Sequence, residues 1–124
     1  MKITIVGAGS SYTPEIVDGL IMRQEKLQVT ELGLTDTNKE RLEILAGLTK
    51  RMIAAAKVPI KVHYGTDRRK VLSDSDFVIT QIRVGGNKQR AIDERICIQH
   101  NIIGQETTGA AGFAKALRTI PAML

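Results

Sequence analysis

Aromatic residues are almost missing from this chain: it has no tryptophan, two phenylalanines and two tyrosines, 3% in all. That scarcity excludes the stacking platform on which single-stranded nucleic acids are bound. No apolar run comes near the roughly 20 residues that cross a bilayer as a helix. The N-terminus passes from one lysine into a strand pattern, without the apolar core or small-residue cleavage site of a signal peptide. We therefore expect neither a membrane partner nor export. The single cysteine, Cys97, cannot form an internal disulfide, which suits a reducing cytoplasm. No repeat, low-complexity run or linker divides the sequence. Its 124 residues are expected to form one domain, 1–124, long enough to bury about two-thirds of the unfolded surface.

What is present is ordinary for a globular protein, with 43% hydrophobic and 25% charged residues. The formal net charge is +5, but the basic residues are spread along the chain and mixed with Asp and Glu. With no reading helix and no stacking platform, nucleic acid is excluded as the main partner. A mild positive excess suits small anionic ligands such as pyrophosphate and sugar phosphates, and serves solubility equally well.

The first fifteen residues, MKITIVGAGSSYTPE, carry the strongest local signal. Lys2 to Val6 read as a short buried strand, Gly7-Ala8-Gly9-Ser10-Ser11 follow at once, and Pro14 and Glu15 open a helix. Glycines let the main chain turn tightly and approach a ligand, while free N–H groups and the helix dipole attract negative charge. The pattern fits the pyrophosphate of a dinucleotide, with Gly7, Gly9, Ser10 and Ser11 as contacts. It also fits a plain strand-to-helix turn. The third glycine of G-x-G-x-x-G would fall at position 12, which is Tyr12.

Further along, Pro14 to Met22 show helical spacing and end in the polar stretch Arg23 to Lys26. Thr30 to Thr35 form a second strand. Asn38 caps a long helix from Lys39 to about Ala56, whose apolar positions recur every three or four residues. Pro59 to Tyr64 alternate like a third strand, Asp67 to Leu72 give one or two helical turns, and Ser73 to Asp76 a polar stop. Phe77 to Ile82 alternate little, as expected of a strand covered on both faces. This order predicts an α/β fold, a Rossmann-like doubly wound parallel sheet with strand order 3-2-1-4. A ligand crevice is expected at the carboxyl ends of strands 1 and 4, which would bring the loop Arg83 to Lys88 beside Gly7 to Ser11 and make Arg83 a cofactor contact. Asp36, at the end of strand 2, can accept from both hydroxyls of an adenine ribose and would repel a 2′-phosphate, favouring NAD over NADP. Alternatively it only starts the turn that leads into the next helix.

Beyond strand 4 come QIRVGGNKQRAIDERI and NIIGQETTGAAGFAKALRTIPAML. Together with VGAGSSYTPE, these motifs resemble glycoside hydrolase family 4, the NAD- and divalent-metal-dependent glycosidases, over essentially the whole chain. In that family Ser-Ser-Tyr-Thr-Pro-Glu follows the second glycine, which accounts for Tyr12. Arg83-Val84-Gly85-Gly86 and Gly104-Gln105-Glu106-Thr107-Thr108-Gly109 look most like the 6-phospho-β-glucosidase branch. The resemblance implies cleavage of phosphorylated disaccharides by NAD-mediated oxidation at C3 of the sugar. A tyrosine base then removes the C2 proton, the C1–O bond breaks by elimination, water adds and the hydride returns.

Carried over by position, the resemblance makes Arg90 a substrate contact, with Arg83 and Arg95 competing for that role; Asn87 is a further candidate substrate contact, and Gln81 a candidate site residue, by their places in the loops expected to face the site. The resemblance makes Glu106 an acidic residue that supports the base. The residues alone also allow Arg90 to begin a solvated helical face with Lys88, Asp93, Glu94 and Arg95, and Glu106 to lie in a plain turn. No metal ligand is expected here. Cys97 and His100 form only a C-x-x-H pair, read as a buried helix residue and a helix-end residue; His63 is read as structural. The family's metal ligands (manganese is the metal expected), its base and its C-terminal domain are expected outside these residues, in a cytoplasmic homo-oligomer. An apolar helix from Phe113 to Leu124 is expected to expose one face. Two other readings stay open: a fragment of a lactate/malate-type NAD-dependent dehydrogenase, and a non-catalytic NAD-binding module.

Overall fold

Four parallel strands are joined through helices in a computed structural model that describes all 124 residues. In chain order the elements are β1 (Lys2–Val6), α1 (Thr13–Met22), α2 (Gln24–Leu27), β2 (Glu31–Thr35) and α3 (Lys39–Ala56). Then follow β3 (Lys61–Gly65), α4 (Arg68–Leu72), β4 (Phe77–Thr80), α5 (Gly86–Gln99) and α6 (Gly109–Met123). The chain divides into two compact units, Met1–Gln81 and Ile82–Leu124.

In the first unit the sheet order is β3-β2-β1-β4, as the sequence predicts. Register places Val62, Leu32, Ile3 and Phe77 in one row and Tyr64, Leu34, Ile5 and Ile79 in the next on the same face. Ile3, Ile5, Leu32 and Leu34 from these rows join Val17 and Leu20 of α1 and Leu42, Ala46 and Ile53 of α3 in the core. The opposite face carries Thr4 and Gly33 and meets α4. There the Thr4 hydroxyl pairs with that of Ser75 at 2.7 Å. A Cβ on Gly33 would lie 2.4 Å from Thr4 Oγ1, so side chain and glycine divide one space. Helices on both faces make the sheet doubly wound.

Local chemistry sets the element ends. Asn38 Oδ1 accepts from Arg41 N at 3.0 Å and caps α3, and Asp67 Oδ1 accepts from Lys70 N at 3.4 Å to cap α4. The polar stretch after Met22 folds into the extra turn α2, because Gln24, Glu25, Lys26 and Leu27 are good helix formers. β3 starts at Lys61 rather than Pro59, since proline has no N–H for the ladder. The largest departure is β4. It runs only to Thr80 and is not covered on both faces: Phe77 is 61% and Val78 50% exposed. β1 is its one strand neighbour, so it lies at the sheet edge.

In the second unit α5 and α6 pack against each other, burying Cys97 and Ala111. Gly85 and Gly86, at φ +84° and +62°, make the turn into α5. His100 sits at the end of α5 and is exposed, while Phe113, Leu117 and Ile120 expose the expected apolar face of α6. No helix is long and apolar enough to cross a membrane.

Candidate functional site

The sequence-derived site residues fall into two clusters, one in each unit. In the first, Gly7 adopts φ +87° directly after β1. Its N–H and that of Ala8 both donate to Thr35 O, at 2.9 and 3.0 Å. This ties the end of β1 to the end of β2. Two tight turns follow, Ser10 N to Gly7 O (3.1 Å) and Thr13 N to Ser10 O (3.0 Å), and deliver the chain to α1. Tyr12 caps that helix without a side-chain bond. Ser10 Oγ accepts from Tyr12 N at 3.2 Å, while Ser11 and Tyr12 are exposed.

Asp36 joins this turn. Its Oδ2 accepts from Gly9 N at 2.8 Å, and its Oδ1 from Asn38 N at 2.8 Å. The carboxylate therefore does start the turn into α3, yet it offers about four acceptor positions in all, of which these bonds take two. Two hydroxyls can still be accepted. The approach to Gly9 is close enough that a Cβ there would sit 2.8 Å from Asp36 Oδ2. Backbone turned at a helix N-terminus, with an acidic group one glycine away, suits a pyrophosphate on the turn and a ribose on the carboxylate.

The second cluster brings together Arg83, Asn87, Arg90 and Glu106. Arg83 grips the Glu106 carboxylate with Nε (2.7 Å) and Nη2 (3.2 Å), and donates from Nη1 to Asn87 Oδ1 at 2.7 Å. Arg90 reaches Glu106 at 3.3 Å and Glu94 at 2.8 Å, and Lys115 reaches Glu106 at 3.3 Å. Three cations thus converge on one carboxylate whose side chain is 15% exposed. The Arg83 hydrogen bond, then Lys115, hold the Glu106 carboxyl below its ordinary pKa against the opposing effect of burial. Glu94 and Glu106 in turn raise the pKa of Arg90. A lowered carboxyl stabilises the fold fully above its unfolded pKa, and that contribution is lost as pH falls through the folded value. Chemical unfolding followed against pH is expected to show a steeper acid loss for the wild type than for Glu106→Gln. Equal slopes would contradict the ion-pair account.

Asp93, which the sequence allowed on a solvated face, is instead 7% exposed and pairs with Arg118 Nη2 at 2.5 Å and Nη1 at 3.1 Å. Gln89 Nε2 adds a third bond at 3.1 Å. Asp93, Lys115 and Arg118 line one pocket with Arg83, Arg90 and Glu106. Sequence reasoning missed all three; the available signal was the i, i+4 spacing of Gln89, Asp93 and Cys97 and the i, i+3 spacing of Lys115 and Arg118. His63 lies on β3, where its Nε2 is 3.3 Å from Glu31 Oε2. No three His, Cys, Asp or Glu side chains lie together in a way that could hold a metal ion.

The chain is similar to known proteins over its whole length. The family model described as "Family 4 glycosyl hydrolase" matches residues 2–124. A Bacillus subtilis (strain 168) protein described as a probable 6-phospho-beta-glucosidase is 52% identical over 126 residues, covering 100% of this chain and 28% of the relative. The 6-phospho-beta-glucosidase of Escherichia coli (strain K12) is 50% identical, covering 98% of this chain and 27% of the relative. A crystal structure of the Thermotoga maritima 6-phospho-beta glucosidase, with manganese, NAD+ and glucose-6-phosphate, superposes with a TM-score of 0.91 at 39% identity. That match covers 99% of this chain and 30% of the other. The chain therefore spans less than a third of the length of these relatives. Matched from its second residue to its last, it belongs to family 4 of the glycosyl hydrolases.

Proposed function

We propose that residues 1–124 form the NAD-binding portion of a 6-phospho-β-glucosidase that cleaves phosphorylated disaccharides. The observation that carries this reading is the Asp36 carboxylate at the end of β2, bonded to Gly9 N at 2.8 Å. The glycine turn and Asp36 fit NAD: the turn leaves no room for a Cβ at Gly9, and the carboxylate keeps acceptor positions for two ribose hydroxyls. When bound, NAD supplies reversible hydride acceptance from the sugar. The Thermotoga maritima structure, which holds NAD+ and glucose-6-phosphate, supports the same assignment.

In this reading the turn of Gly7, Gly9, Ser10 and Ser11 lies against the pyrophosphate and Asp36 takes the adenine ribose; the N–H groups of Gly7, Gly9 and Ser10 are themselves spent on Thr35 O, Asp36 Oδ2 and Gly7 O, and the Arg83 guanidinium on Glu106 and Asn87. Arg90 and Asn87 contact the sugar phosphate, for which a planar guanidinium fork is well shaped. Glu106 supports a tyrosine base supplied from outside these residues. The side chains present do not fit a metal, so the divalent ion, manganese by analogy with the solved relative, belongs to that outside part as well. The complete enzyme is proposed to be a cytoplasmic homo-oligomer.

The test is calorimetric titration with NAD. Asp36→Ala is expected to weaken NAD by roughly 10- to 100-fold, the worth of charged hydrogen bonds of about 1.5–3 kcal/mol. Unchanged affinity would show that Asp36 is only a turn residue.

A further inference from the structure

Thr13 is fully buried at the first position of α1, yet it is held there by hydrogen bonds at both its donor and its acceptor. Its hydroxyl donates to Ala8 O at 2.8 Å and accepts from Gln81 Nε2 at 2.7 Å. Gln81 follows β4, and its own backbone N–H donates to Val6 O at 2.9 Å. A directed chain of bonds therefore runs from the end of β4, through the Thr13 hydroxyl, into the middle of the glycine turn. Because the Gln81 NH2 can only donate, the single hydroxyl proton of Thr13 is committed to Ala8 O.

The Ala8 carbonyl and the Gly9 N–H are two ends of one rigid peptide plane. Fixing the carbonyl aims the N–H, and that N–H holds Asp36 Oδ2 at 2.8 Å. On the other flank, Thr35 O takes the N–H groups of Gly7 and Ala8. The turn is clamped from both strands that neighbour β1. With Ala8 and Gly9 both buried, water cannot replace a lost partner cheaply.

We propose that Thr13 and Gln81 are positioning residues for the dinucleotide: they fix the Ala8–Gly9 peptide plane and, through it, the Asp36 carboxylate. This rests on the NAD reading above. The test titrates the whole chain and its variants with NAD and records the Gly9 amide resonance by NMR. Thr13→Val, which keeps the shape but loses the hydroxyl, is expected to weaken NAD about tenfold and to move the Gly9 resonance. Thr13→Ser restores the hydroxyl and is expected to stay within about twofold of wild type. Gln81→Glu offers a carboxylate that draws the Thr13 proton away from Ala8 O, so it is expected to behave like Thr13→Val. If Thr13→Val fails to fold, the half-buried Gln81→Leu carries the same test. Wild-type binding with unaltered affinity in Thr13→Val, or equal losses in Thr13→Val and Thr13→Ser, would overturn the relay and leave the NAD reading standing. No NAD binding by the wild type would overturn both.

Discussion

Gly9→Ala is expected to lower NAD affinity by about 100-fold or more while the chain stays folded. The added Cβ would lie 2.8 Å from Asp36 Oδ2, 2.9 Å from its Cγ and 3.3 Å from Arg41 Cβ. Arg41 sits in the first turn of α3 and cannot retreat far, so the Asp36 carboxylate must swing away. That movement breaks its bond to Gly9 N and displaces the acceptor proposed for the ribose. The fold itself loses about one or two hydrogen bonds at a net 0.5–1.5 kcal/mol each, leaving the sheet intact. Calorimetry with NAD and thermal unfolding, run side by side, separate the two effects. A variant that binds normally would show that ligand and carboxylate do not meet at Gly9.

The largest loss of stability is expected from Leu34→Ala, about 2–5 kcal/mol. Leu34 is fully buried and pairs in register with Ile5 on one side and Tyr64 on the other. Its side chain lies in the core that α1 and α3 share with the sheet. Truncation removes transfer energy and leaves a cavity that two parallel ladders prevent from collapsing. Denaturant unfolding measures it, and a loss below 1 kcal/mol would mean the core is looser than its burial implies. Leu34→Met, which conserves volume, is expected to cost less than about 1.5 kcal/mol.

Much of the first unit could be read directly from the sequence. β1, the glycine turn, α1 and the Asn38-capped α3 rest on local chemistry: β-branched runs, glycines at a turn, a capping side chain and helical periodicity. Strand order followed from alternating strands and helices, because parallel connections restrict the topology. The edge position of β4 fits that same order, but its apolar composition suggested burial on both faces. Composition reports what a strand can bury, and exposure depends on what lies beside it. Asp93 illustrates a second limit. Its pairing with Arg118, 25 residues on, depends on how α5 and α6 are rotated, which packing decides and helical spacing alone does not. The bond between Thr13 and Gln81 spans 68 residues and joins a helix start to a strand end. No local pattern encodes such a pair. Among the candidate site residues, Asp36, Arg83 and Asn87 follow from their places after the strands, whereas Arg90 and Glu106 follow from family motifs; the convergence of Arg83, Asn87, Arg90 and Glu106 emerges only in three dimensions.

The turn after β1, with Asp36, is proposed as a site for NAD. Calorimetric titration of the 124-residue chain with NAD and, in parallel, with NADP tests it most directly. One NAD is expected to bind per chain, and NADP more weakly, because its 2′-phosphate would meet the Asp36 carboxylate. Absence of NAD binding at millimolar concentration, or NADP binding as tightly as NAD, would contradict the proposal.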